Sequence, residues 1–287
     1  MLAHTLWGIY PVFARYLQTV SGLPSLAMLT VAYLPLLLGF VFYGLPRDWR
    51  LIRGSRQLWL FAFIVVVRSI SNVMAARYTL AIFVQMITLL TPFIVVAISL
   101  LFLNQRPPKG TIPAMSVSFV GSAMMLFGDT SVGFAQGLTS SDWVGIGLAL
   151  LSALFLAVYM IAVGRSVALP ISGLRLLLFQ SAAIALTSLF LSIASGEEWG
   201  RFAALGSTDW LVLAAFGILI LGGANGLQIT TIRKVGAAVV SSIMGWRLLI
   251  TLLAGVALLH EGLSSPVQYM GMAITLAAVT WFLWKRP

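Results

Sequence analysis

Apolar residues do not alternate along this chain. They run on in long stretches, broken by short clusters of charge, glycine and proline. A helix that crosses a bilayer needs about 20 largely apolar residues. Cutting at the clusters gives ten such segments, roughly 2–19, 25–44, 57–76, 79–103, 111–128, 142–163, 171–193, 209–231, 236–258 and 266–284. Two cuts are narrow, at Arg77-Tyr78 and at Arg233-Lys234, where only a few residues connect neighbours. Helix is the state expected for each run. Lipid offers no partner to free backbone groups, and the runs lack the two-residue alternation of a membrane β-barrel strand.

Composition agrees. Hydrophobic residues make up 60% of the 287 and charged ones 8%, with a mean hydropathy of +1.04. Soluble domains run near 45–50% apolar and about 25% charged, so the apolar excess must face lipid. A soluble enzyme, a nucleic-acid binder and a disordered regulator are excluded. The net charge of +10 would suggest nucleic acid in a soluble protein; here it reads as membrane topology. With no cysteine, disulfides, thiolate chemistry and Cys-ligated metals drop out. Met1 to His4 lacks a basic stretch, so no cleavable signal peptide is expected.

Membrane proteins keep lysine and arginine in cytoplasmic loops. With the N-terminus inside, twelve cations fall on the inner side: Arg47, Arg50, Arg53, Arg56, Arg106, Lys109, Arg165, Arg175, Arg233, Lys234, Lys285 and Arg286. The outer side receives Arg15, Arg77 and Arg201. Both termini are therefore expected in the cytoplasm. Six of the seven acids (Asp129, Asp142, Glu197, Glu198, Asp209, Glu261) fall outside and Asp48 inside. Trp49, Trp59, Trp143, Trp199, Trp210, Trp281 and Trp284 lie near span ends as an interfacial belt. Trp7 and Trp246 lie deeper.

The halves are related. At a spacing of 156, Asn72 matches Gln228, Arg77 matches Arg233 and Gln105 matches Glu261; at 150, Arg15 matches Arg165 and Gly121 matches Gly271. The expected fold is all-α and integral to the membrane: ten transmembrane helices as a 5+5 inverted repeat around a central cavity. Residues 1–135 form the first five-helix unit and 136–287 the second. A unit with an odd number of crossings forces its second copy to enter from the opposite side. Many secondary transporters build a midplane site on that architecture.

Leu6-Trp7-Gly8, the stretch Ala76 to Pro107 with Pro92 in mid-span and Asn104-Gln105-Arg106-Pro107 at its close, Leu148 to Tyr159 followed by Arg165, and Leu258-Leu259-His260-Glu261-Gly262 carry a family likeness. On these the chain resembles the ten-helix EamA-type branch of the drug/metabolite transporter superfamily. Gln105 stands where that family usually has Glu, and Trp246-Arg247-Leu248 where a Pro is common. The resemblance implies export or exchange of small polar metabolites. Bacterial amino-acid exporters, including those for aromatic amino acids, are its nearest match.

Ionisable residues at membrane depth are costly and mark function by default. Arg68, in the third span, and Arg247, in the ninth, qualify. A guanidinium keeps its proton, and no acid lies at similar depth, so each must find carbonyls, amides, water or an anionic ligand. Snorkelling or bonding to carbonyls at a helix break is the alternative use. Arg68 and Asn72, four apart, share a face. Gln85, Thr88 and Pro92 form a stripe with Tyr78 beyond, and Asn225 and Gln228 follow Gly222-Gly223. Tyr10 and Pro11 follow Trp7, and Tyr159 lies in the related part of the sixth span. Interhelical amide bonds worth about 1 kcal/mol or less are the alternative for each amide, and Gln180 is read as packing. The candidate substrate-binding set is therefore Trp7, Tyr10, Arg68, Asn72, Tyr78, Gln85, Tyr159, Asn225, Gln228, Trp246 and Arg247. Such a cavity holds a carboxylate or phosphate on arginine, amino and hydroxyl groups on amides, and side chains on rings.

His4 and His260 are both read as solvated bystanders near an interface, and His260-Glu261 alone makes no metal site. No cofactor or metal is expected. No intramembrane carboxylate is placed to carry protons, so facilitated flux or exchange is expected, without obligatory coupling through a buried acid. A membrane enzyme needs a base or nucleophile cluster, a channel a filter loop; neither is present. The expected function is a monomeric secondary transporter in the bacterial inner membrane that exports amino acids or related small metabolites by alternating access. Exchange of phosphorylated metabolites or organic anions, or broad drug export, are the alternatives. The lipid bilayer and the small-molecule substrate are the expected partners, with no nucleic acid.

Overall fold

The computed structural model describes residues 1–104, 110–127, 139–259 and 265–284. Gln105, Arg106, Pro107, Lys109, Asp129, His260, Glu261, Gly262, Lys285 and Arg286, named above, lie outside the described residues. Every regular element described is helical. Helix α1, Leu2–Arg15, runs into a π-helical stretch at Tyr16–Val20; α2, Ser25–Gly39, runs into another at Phe40–Gly44. Then follow α3, Leu45–Gly54, and α4, Arg56–Tyr78. The fourth predicted segment is split into α5, Ala81–Thr88, and α6, Thr91–Leu103. Next come α7, Thr111–Phe127, α8, Ser140–Arg165, and α9, Gly173–Ala194. The eighth segment is α10, Ser207–Ala215, a π-helical stretch Phe216–Ala224 and α11, Asn225–Val235. The ninth is split into α12, Ala237–Ser242, and α13, Gly245–Leu259; α14, Pro266–Trp284, ends the fold.

Helix thus occupies all ten predicted segments. Among the described residues six helical runs are long and apolar enough to cross a membrane: Ser25–Gly44, Arg56–Tyr78, Ala81–Phe102, Ser140–Ala168, Gly173–Ala194 and Ser207–Val235. Thr111–Gly121 and Gly245–Leu259 are shorter apolar helices. The outer surface carries Phe42, Leu101 and Phe102 at more than three-quarters exposure. Water would not tolerate so large an apolar face; lipid does. The narrow connections rest on backbone chemistry. Gly236, at φ 88°, joins α11 to α12 in a conformation that favours glycine. Thr79 and Leu80 turn the chain between α4 and α5.

Both split segments break near their middles, at Leu89-Leu90 and at Ile243-Met244. Pro92 accounts for the first, since it lacks the N–H that would continue the ladder. No proline explains the second. There the Ser241 hydroxyl donates to the Ala238 carbonyl and the Ser242 hydroxyl to that of Val239. Side chains that compete for helix carbonyls in this way weaken the helix locally.

Polar cross-links tie elements far apart in sequence at one end. The Glu197 carboxylate accepts from the Leu26 and Ala27 amides and from the Ser192 hydroxyl, so it caps α2 from the loop after α9. Asp209 accepts from the Ser21 and Tyr16 hydroxyls, and Asp142 from that of Thr79. Arg15 donates to the Thr79 carbonyl at 2.8 Å. The charged members of this set, Arg15, Asp142, Glu197 and Asp209, are the ones that the charge distribution assigns to the outer side.

Candidate functional site

The site forms where α1 packs against α4, α5 and α13, with α8 behind α4 and α5. Gly8 permits the approach to α13: a Cβ there would sit 2.7 Å from the Arg247 carbonyl and 2.7 Å from the Ile250 Cβ. The Thr251 hydroxyl donates to the Gly8 carbonyl at 2.6 Å across the same contact. This brings Trp7 between two buried cations. The Arg68 guanidinium carbon lies 5.1 Å from the Trp7 ring centre and 4.4 Å from that of Tyr159; the Arg247 guanidinium carbon lies 5.5 Å from Trp7. Cation–π attraction of this kind contributes about 2 kcal/mol when desolvated. It holds both charges without neutralising either.

Arg247 is bonded further. Its Nε donates to His4 Nδ1 at 2.8 Å and its Nη2 to Gln228 Oε1 at 3.3 Å. His4 also bonds the Val240 backbone. Val240 stands at the end of α12 beside the helix break, where the Met244 amide turns instead to the Ser241 carbonyl. The histidine therefore links α1 to both halves of the broken segment.

Trp7, Tyr10, Pro11, Arg68, Asn72, Val84, Gln85, Thr88, Ser152, Leu156 and Arg247 enclose a cavity of about 20 Å³, room for about one water. Tyr10 packs on Trp7 and Phe216 at 5.3 Å each and faces Asn72. At the cavity and in the helices packed around it several buried polar atoms are unpartnered: Trp7 Nε1, Gln85 Nε2, Gln228 Nε2, the Tyr159 hydroxyl and Gln180 Oε1, and, farther off beside Tyr33, Asn225 Oδ1. The Tyr159 hydroxyl sits beside Gln180 and Arg68 without closing a hydrogen bond of normal geometry. Most of these atoms are donors. With the two guanidiniums they make a polar region in which unpartnered donors outnumber unpartnered acceptors. Beyond it, Tyr159 stacks on Phe61 with ring centres 5.7 Å apart. Phe61 also borders a second hollow of about 480 Å³ between α4, α8 and α9, with Gln57, Arg165 and Ser166 among its lining.

Of the residues expected from sequence, Trp7, Tyr10, Arg68, Asn72, Gln85 and Arg247 meet at the cavity, with Tyr159 and Gln228 against the arginines. Others are placed elsewhere. Trp246 is half-buried and its Nε1 donates to the Thr5 hydroxyl at 3.0 Å, so it faces away from the cavity. Tyr78 closes α4, ten residues and about 15 Å of helix from Arg68. Asn225 is buried, its amide nitrogen donates to the Leu221 carbonyl, and it neighbours Tyr33 and not the cavity. His4 corrects the sequence reading most. It is buried and bonded to Arg247, not a solvated bystander. Gln180, read as packing, lies beside Tyr159.

Fold and site together define a multi-pass helical membrane protein built around a small, cation-bearing polar chamber. An EamA-like transporter family model matches residues 1–127, so the first part of the chain, which carries α1 to α7, is similar to that family. No curated protein matches it. Of 28 similar solved chains, one crystal structure, described simply as that of a protein, has a TM-score of 0.71 at 16% identity, covering 97% of this chain and 96% of that one. At that identity the likeness speaks for the fold alone.

Proposed function

We propose that this protein is a monomeric ten-span secondary carrier. In this reading it exports amino acids, aromatic ones included, or related small metabolites across a bacterial inner membrane by alternating access. One observation carries the substrate class: two buried guanidiniums flank one indole, and no acid pairs with either among the described residues. Buried charge needs a counter-charge or a full set of hydrogen bonds. A substrate carboxylate supplies the first, while the Trp7 ring and its neighbours suit an aromatic side chain. The excess of donors also favours a second reading, exchange of organic anions or phosphorylated metabolites at the same chamber. The lack of a buried carboxylate among the described residues argues against broad export of cationic drugs.

Helix packing supports the inverted 5+5 repeat. In terms of the ten predicted spans, the first packs on the eighth and ninth, the sixth on the third and fourth, the second on the seventh, the fifth on the tenth and the fourth on the ninth. Exchange each span for its counterpart five further on and this set of pairs is unchanged. The residues matched in sequence behave likewise. Arg77 reaches the Ser25 hydroxyl and Arg233 the Ile171 carbonyl, each running from the end of its unit's third span to the start of the second. Gly121 and Gly271 meet face to face, a Cβ on Gly121 falling 2.6 Å from the Gly271 carbonyl. The two mid-segment breaks fall in the fourth and ninth spans, also counterparts. Broken helices of this kind surround the midplane sites of secondary transporters.

The test is counterflow. Purified protein in liposomes preloaded with phenylalanine is expected to accumulate radiolabelled phenylalanine transiently, with saturable initial rates. Labelled glucose 6-phosphate and tetraphenylphosphonium are expected to move more slowly. Flux that neither saturates nor shows counterflow would point to a channel, and movement of the phosphonium alone would overturn the substrate class.

A further inference from the structure

We infer that His4 is a positioning residue that makes a proton and a substrate carboxylate bind together, through its hold on Arg247. The inference rests on Arg247 as a carboxylate ligand and goes further, since it assigns the chain a route for proton coupling that contains no acid. Arg247 can only donate, so the 2.8 Å contact fixes His4 Nδ1 as the acceptor and the imidazole as neutral. The other side of the ring bonds the Val240 backbone beside the helix break. In this state the Arg247 Nε is committed to His4 on α1 while the side chain lines a cavity of about 20 Å³.

Protonation of His4 removes the lone pair that Arg247 uses. It also places an imidazolium against a guanidinium in a buried site, which is unfavourable by Coulomb repulsion. A carboxylate resolves both problems. It accepts from Arg247 Nε and from the new Nδ1–H, and it separates the cations. The proton enters from water on the side to which the chamber is open, resides on Nδ1 while the carboxylate is bound, and leaves with it. One proton therefore accompanies each carboxylate in the same direction. By linkage, whatever factor the carboxylate adds to proton affinity, the proton adds to carboxylate affinity.

The surroundings permit this. The charges facing His4 are Arg247 on α13 and the terminal ammonium of Met1 on its own helix, with Arg68 of α4 farther off across Trp7. Val240 of α12 and Gln228 of α11 are neutral neighbours. All three charges are positive, and no carboxylate among the described residues takes the substrate's place. Histidine is the side chain whose unperturbed charge changes between about pH 5 and 8, and in this buried, cation-lined place only a carboxylate that bridges the ring and Arg247 lets it take up the proton.

Two measurements decide it. The first needs no substrate. In the His260→Gln protein, labelled at histidine nitrogen, NMR at pH 6 is expected to show His4 as the neutral Nε2–H tautomer with Nδ1 hydrogen-bonded. Adding Arg247→Gln should raise its imidazolium-to-imidazole ratio about tenfold. Unchanged His4 resonances in that variant would overturn the inference. The second is phenylalanine counterflow, expected to be pH-dependent between pH 5.5 and 8 in the wild type and at least fivefold less so in His4→Gln. An identical pH profile in a folded His4→Gln protein would also overturn it. If the wild type fails to move phenylalanine, the substrate proposal falls and the NMR result still decides the role of His4.

Discussion

Replacing Arg247 by glutamine is expected to lower phenylalanine flux by about ten- to a hundredfold while leaving the protein folded. A hydrogen bond from a charged group contributes about 1.5–3 kcal/mol, which is that range in rate or affinity. Stability should move little or even rise. The substitution gives up bonds to His4 and Gln228, yet it removes a buried charge that no acid compensates, and eliminating such charges is often neutral or stabilising. The two readouts therefore separate roles. If Arg247 served only to tie α13 to α1, the thermal midpoint in detergent would fall and flux would fall with it. Wild-type flux in the well-folded variant would take Arg247 out of the site.

The second large effect is expected at Gly8. Any Cβ there meets the Arg247 carbonyl and Ile250 at 2.7 Å, closer than side chains pack. One of those obstacles is backbone, which cannot turn aside. Gly8→Val should therefore push α1 off α13, at a cost of about 1–3 kcal/mol for overpacking. The Thr251 bond to the Gly8 carbonyl and the His4–Arg247 contact would be lost together. A drop of several degrees in thermal midpoint with loss of phenylalanine flux is the expected outcome. Gly147, open on all sides, provides the contrast, and Gly147→Val should be near neutral. Equal behaviour of the two variants would mean that the close crossing of α1 and α13 is not what shapes the chamber.

The helical segments were legible because length and apolarity decide them locally. Lipid removes every backbone partner except the chain's own, so a run of about twenty apolar residues has one outcome. The break in the fourth segment was legible in Pro92. Its counterpart was not, because it has no proline: there Ser241 and Ser242 turn their hydroxyls to carbonyls three residues back, which two serines in an apolar run do not announce. The central pair of arginines could be read from sequence because buried charge is rare; the partners around them could not. His4 was misread for its position near the start of the chain. Three residues before Trp7, it follows that side chain into the core one turn along α1, and only the crossing with α13 reveals this. Trp246 shows the converse. Adjacency to Arg247 suggested a shared cavity, but neighbours in a helix point about 100° apart, and its indole reaches Thr5. Tyr33, buried between Ser69 and Asn225, gave no signal in the sequence beyond its being an aromatic in an apolar run.

The account depends above all on two five-helix units of opposite orientation, and single-cysteine labelling tests that directly. The chain has no cysteine of its own, so each variant carries one reactive thiol. Val20, after the first span, and Val167, after the sixth, occupy corresponding places in the two units and are 62% and 54% exposed. In intact cells a membrane-impermeant maleimide is expected to label Val20→Cys and to leave Val167→Cys unlabelled until the membrane is opened. Labelling of both from the same face would contradict the inverted repeat.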